Sequence, residues 1–103
     1  MCGIAGIVGA LSSSRVNGAV RAMIDAQLHR GPDDGGSTVI SVGGSAVGLG
    51  NRRLAIQDLS PLGHQPMVNE GTGDIIVYNG EIYNAPALRD QLKTEIVLYG
   101  TWI

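Results

Sequence analysis

Sixteen glycines spread through 103 residues constrain this chain more than any other feature. That is more than twice the ordinary share, and it calls for many tight turns or close backbone approaches. The glycines bracket short apolar runs. Residues 4–8 lie between Gly3 and Gly9 and read as a short buried strand. Ser12-Ser13-Ser14 supplies a turn and helix N-cap hydroxyls. Val16, Val20, Met23, Ile24 and Leu28 then recur on one face, with the polar Gln27 among them. This spacing predicts an amphipathic helix of about fourteen residues, with Arg21 and Asp25 on its outer face and Gly18 weakening its start. Gly31-Pro32 ends it, and Asp33 and Asp34 are expected to cap and orient the next strand rather than to hold a metal.

Residues 37–42 alternate polar and β-branched side chains and read as a strand, with Gly43-Gly44-Ser45 as a hairpin connection. The return strand starts at Ala46 and continues through Asn51-Arg52-Arg53-Leu54-Ala55-Ile56 into a loop over 57–66. Gly48 and Gly50 are not a phosphate loop, because neither Gly-Lys-Ser/Thr nor a complete GxGxxG is present. On an extended backbone the adjacent Arg52 and Arg53 face opposite sides, so one of them can face a site. Met67-Val68-Asn69, a turn through residues 70–73 and a run from Asp74 to Tyr78 form a second expected hairpin. Asn79-Gly80 closes that strand, and Asn-Gly is also a favoured hairpin turn pair. Asn84 is the expected N-cap of a helix over 85–93, with Pro86 in its first turn. The tail over 94–103 stays open between strand and helix. The order is strand, helix, four strands, helix and tail, an α+β domain with antiparallel sheet.

A hydrophobic fraction of 44% against 16% charged residues belongs to a packed protein, and with no Phe its core must be aliphatic. A net charge of −2 gives no basic field for nucleic acid. The single cysteine excludes an internal disulfide and fits a reducing compartment, so a cytoplasmic location is expected. His29 and His64 are too far apart to read as a ligand pair, and no metal is expected. No apolar run is long enough to span a membrane, and the run over 4–11 lacks a cationic stretch before it and is broken by Gly6 and Gly9, unlike a signal peptide.

That cysteine is the second residue. Removal of Met1 would put a thiol and a free α-amine on Cys2, a nucleophile with a base built in. Free α-amines titrate near about 7.7–8.0, a useful range for a base at neutral pH. Taken alone, a single cysteine reads equally as a small inert hydrophobe.

Met1-Cys2-Gly3-Ile4, HRGPDD at 29–34, NRRLAIQDLS at 51–60, GHQPM at 63–67 and YNGEIYN at 78–84 occur in that order. Together they cover most of residues 1–93 and resemble the glutaminase domain of glutamine-hydrolysing asparagine synthetases, a class II glutamine amidotransferase. The resemblance implies an N-terminal-nucleophile hydrolase fold, a partial αββα sandwich of antiparallel sheets flanked by helices. It implies hydrolysis of glutamine to glutamate and ammonia, with Cys2 forming a thioester and the Asn79 side chain and Gly80 N–H making the oxyanion hole. Arg53 would clamp the α-carboxylate of glutamine, and Leu54, Ala55, Ile56, Gln57, Asn79, Gly80 and Glu81 would line the pocket. Arg52 would be a surface or structural residue, and His29, Arg30, Asp33 and His64 would hold loops. Removal of Met1 becomes a condition of activity.

The resemblance also sets limits. The Ser-Asp-Thr-Glu-type segment, whose aspartate binds the α-amine of glutamine in the family, is represented only by Thr94-Glu95, and Glu95 aligns with the glutamate rather than with the missing ligand. Residues 1–103 are therefore expected to be an incomplete amidotransferase domain with the synthetase domain absent. No cofactor is expected in the domain itself; ATP and magnesium would serve the synthetase domain, its implied partner, and a homo-oligomer is possible. The alternative is a truncated, non-catalytic remnant or partner-binding fragment.

Overall fold

The structure is a computed structural model and describes residues 2–55 and 63–93. The return strand expected to continue through Leu54 and Ala55 to Ile56 ends at Arg53, where its pairing partners on both sides run out. Ile56, the loop over 57–62 and the tail over 94–103 with Glu95 lie outside the described residues.

Among the described residues the elements follow in the expected order: β1 (Gly3–Gly9), α1 (Ser13–Asp25), β2 (Asp34–Val42), β3 (Ser45–Arg53), β4 (Met67–Val68), β5 (Ile75–Ile76) and α2 (Ala85–Leu92). The first three strands form an antiparallel sheet in the order β1-β3-β2, and β4 and β5 form a separate antiparallel pair. β2 starts three residues earlier than its side-chain alternation suggests. The reason is pairing: Asp34, Gly35 and Gly36 lie opposite Arg53, Arg52 and Asn51 of β3.

Helix α1 begins where Ser12 Oγ accepts the Arg15 N–H at 3.2 Å. Val16, Val20 and Ile24, spaced by four, are its buried residues. Two expectations fail here. Met23 and Leu28 are exposed, and Gln27 and Leu28 lie beyond the helix end. The chain tightens there instead, with the N–H groups of Gln27 and Leu28 donating to the carbonyls of Ile24 and Asp25. That turn lets the Gln27 amide reach back and donate to the Ile4 carbonyl at 3.2 Å.

The core lies between α1 and one sheet face. Ala5, Val20 and Ile24 cluster there, with Ile7 and Val39 packed against them. Gly48 and Gly50, on the central strand, account for the closeness of helix and sheet. A Cβ at Gly48 would sit 2.8 Å from Val16 Cγ1, and one at Gly50 would collide with Ile24 Cγ2. On the opposite face, Ile4, Val8, Ile40 and Val42 are exposed.

The hairpin between β2 and β3 turns through Gly43, the first loop residue, at φ 60. The β4–β5 turn is closed by Asn69, whose carbonyl accepts the Gly73 N–H at 2.7 Å. Helix α2 carries Pro86 in its first turn, but Asn84 makes no side-chain capping bond. Its φ of −99 and ψ of 22 differ from the extended geometry that lets a cap side chain reach back. Among the described residues, no helix is long and apolar enough to cross a membrane.

Candidate functional site

Cys2 stands immediately before β1. Because Gly3 pairs with Arg52, Cys2 comes alongside the end of β3. Its Sγ accepts the Leu54 N–H at 3.3 Å and lies 3.7 Å from the Leu54 carbonyl, to which the thiol can donate. The thiol is part-buried, so it is held by the backbone without being sealed from the surface.

Two loops build this arrangement. Asp33 grips the segment after β3 from both sides: its N–H donates to the Arg53 carbonyl at 3.1 Å, and its Oδ2 accepts the Ala55 N–H at 2.9 Å. A backbone bridge between Pro32 and Arg53 reinforces the grip. Asp34 starts β2 and accepts at Oδ2 a contact of 2.6 Å from His64 Nδ1. The aspartate pair thus works as loop clamps. Arg52 Nε donates to the Gly31 carbonyl at 2.8 Å, and its guanidinium covers Gly35. Arg53 is the buried arginine of the pair, and its guanidinium lies against Gly63, where a Cβ would collide with it.

The second loop brings Asn79 to Cys2. Asn79 Nδ2 donates to the Cys2 carbonyl at 3.1 Å, across 77 positions of sequence. Neither Asn79 nor Gly80 has a positive φ. Asn79-Gly80 is therefore not a type I′ hairpin turn, which needs positive φ at both residues. Gly80 sits beside the Tyr78 hydroxyl, 2.7 Å from where its own Cβ would be. Leu54 and Ala55 are half-buried, and Gly80 and Glu81 are exposed. Ile56 and Gln57 lie outside the described residues. His29 is exposed. Among the described residues, no three His, Cys, Asp or Glu side chains gather as a metal ligand set.

A family profile described as the glutamine amidotransferase domain matches residues 1–101. The chain belongs to this amidotransferase family. It is 39% identical over 109 residues to a Methanocaldococcus jannaschii protein provisionally named glutamine-hydrolysing asparagine synthetase 2, covering 92% of this chain and 21% of that one. It is 40% identical over 100 residues to glutamine-hydrolysing asparagine synthetase 2 of Bacillus subtilis, covering 93% and 13%. Amidase chyE of Penicillium rubens is 36% identical over 112 residues, covering 98% and 16%. The chain thus spans about a fifth or less of the length of these relatives. No solved structure matches.

In this amidotransferase domain two polar residues that sequence reasoning did not single out sit behind Asn79. Gln65 is buried at 6% exposure, and Asn51 is buried on β3 at 1%. Gln65 bonds both the N–H and the carbonyl of Tyr78, the residue before Asn79. The signals for Asn51 were a polar side chain in a strand and its place in NRRLAIQDLS, and the one for Gln65 was its place in GHQPM.

Proposed function

We propose that this domain hydrolyses the side-chain amide of glutamine to glutamate and ammonia, with Cys2 as nucleophile. One observation carries the reading: residues 2, 54 and 79 converge on Cys2, whose thiol accepts the Leu54 N–H and whose backbone carbonyl accepts the Asn79 carboxamide. Once Met1 is removed, the α-amine of Cys2 takes the thiol proton. The thiolate adds to the amide carbon, and the oxyanion forms where the Asn79 amide and the Gly80 N–H can donate. Collapse expels ammonia with a proton returned from the α-ammonium and leaves a thioester. The amine then deprotonates a water, which attacks the thioester and releases glutamate and the thiol.

Arg53 is the proposed clamp for the glutamine α-carboxylate, since a guanidinium matches a carboxylate with two parallel donors. The backbone over 54–57, Asn79, Gly80 and Glu81 would line the remainder of the pocket. The exposed apolar face formed by Ile4, Val8, Ile40 and Val42 supports the N-terminal-nucleophile sandwich, in which a second sheet would cover it. The names of the relatives support a further step. The ammonia would pass to a synthetase domain that makes asparagine from aspartate, with ATP and magnesium bound in that domain, in the cytoplasm. No observation favours a non-catalytic remnant over this reading.

The decisive experiment measures glutamate and ammonia formation from glutamine by protein shown by intact mass to lack Met1. Cys2→Ala is expected to abolish both products. Turnover surviving that substitution overturns the nucleophile.

A further inference from the structure

We infer that Gln65 is a positioning residue for the oxyanion hole, holding the Asn79-Gly80 backbone by pairing its side-chain carboxamide with the main chain of Tyr78. This rests on the glutaminase reading and extends it to a residue that touches no reacting atom. Gln65 Oε1 accepts the Tyr78 N–H at 2.6 Å, and Gln65 Nε2 donates to the Tyr78 carbonyl at 3.2 Å. A carboxamide joined to both groups of one residue fixes that residue's position and its rotation, as a neighbouring strand would. The Tyr78 carbonyl belongs to the peptide unit whose N–H is on Asn79, so the clamp ends one bond before the proposed donor residue.

The clamp is itself tied to the sheet. Asn51 Nδ2 donates to Gln65 Oε1 at 3.3 Å, and Asn51 Oδ1 is buried without a hydrogen-bond partner among the described residues. Asn51 pairs with Ile4 and with Gly36, so the chain of bonds runs from the strand that starts after Cys2, through β3, to the residue before Asn79. A second tether lies at Gly36. A Cβ there would collide with the Gln65 carbonyl and lie 2.8 Å from His64 Nε2, so the Gln65 backbone lies directly on β2. Nucleophile and oxyanion donors are thus referenced to one rigid sheet. Burial of Gln65 keeps water from competing for its bonds.

The test substitutes Gln65→Glu in the intact protein. Glutamate keeps the acceptors for the Tyr78 N–H and Asn51 but offers no donor to the Tyr78 carbonyl. A donor misaimed only in the transition state lowers kcat and leaves substrate binding alone, so kcat for glutamine hydrolysis should fall about 10- to 100-fold with KM changed less than about threefold. Alkylation of Cys2 by iodoacetamide, which needs no oxyanion hole, should keep its rate. Amide hydrogen exchange at residues 78–80 should rise about tenfold or more, while residues 46–50 stay protected. Gln65→Met, which removes both bonds at similar volume, gives the same readouts if the glutamate variant does not fold. Unchanged kcat and unchanged exchange at 78–80 overturn the proposal. So does a loss of kcat matched by lost alkylation and by exchange through β1 and β3, the mark of general unfolding. If the parent protein forms no glutamate, the glutaminase reading fails by itself, and exchange at 78–80 still decides the clamp.

Discussion

The two described stretches of this domain are held together by different physics. Residues 2–55 form a sheet with a helix pressed on it, and burial of Val16, Val20, Ile24 and Ala5 against glycine-lined strands supplies the cohesion. Residues 63–93 contribute a two-residue strand pair, and Ala85 is the sole buried residue of α2. Hydrogen bonds tie this second stretch to the first: His64 to Asp34, Gln65 to Asn51 and Asn79 to Cys2. The proposed nucleophile therefore sits on an apolar scaffold, and the proposed oxyanion donors hang from it on directional bonds. Burial is tolerant of small displacements, whereas hydrogen bonds weaken steeply with angle. Polar tethers are thus suited to aiming donors, and apolar packing to supplying stability.

This contrast predicts that substitutions in one stretch change melting temperature and those in the other change turnover. The largest expected effect is Asn79→Ala, with kcat lowered about 10²–10³-fold, roughly 3–4 kcal/mol of transition-state stabilisation. Because Asn79 is exposed, its cost in stability should stay within about 0.5 kcal/mol by denaturant titration. A large stability loss would break the division. Gly50→Ala drives a methyl into Ile24 and should cost about 1–3 kcal/mol by the same titration. Val20→Ala removes two buried carbons and leaves a small cavity, roughly 2 kcal/mol, with KM for glutamine unchanged. Ser12→Ala deletes the cap of α1 and should cost about 1 kcal/mol. The smallest effect belongs to Asn84→Ala, expected within about 0.5 kcal/mol of the parent because no side-chain bond is lost. A thermal shift for Asn84→Ala equal to that of Ser12→Ala would show that backbone propensity, and not the cap bond, sets both.

Much of the fold was legible because its signals are local. Glycine pairs, β-branched alternation, a four-residue apolar repeat and the Asn84-Ala85-Pro86 start of α2 place the described elements in order. The errors also have local causes. Leu28 continued the apolar repeat past the point where i→i+3 turns had replaced the helix. Asn84 had the right chemistry for a cap but the wrong backbone. Residues 34–36 have little strand propensity, and only their partners on β3 make them a strand. In the site, the choice between Arg52 and Arg53 could be framed as a matter of opposite faces, yet burial of Arg53 against Gly63 depends on a loop ten positions away. Gln65 was invisible as a clamp, because nothing near it in sequence announces Tyr78.

The sequence by itself determined the element order, the α+β class, that no disulfide can form within residues 1–103 and the presence of one thiol beside a potential α-amine. It also carried the family, since five short motifs in order survive without any coordinates. Only the tertiary structure decided what surrounds that thiol. The Leu54 N–H reaches Cys2 across 52 positions and the Asn79 amide across 77. Periodicity and propensity report on neighbours along the chain. Contacts between residues so far apart arise only after sheet pairing has set the register, so they are a property of the fold and not of any stretch within it.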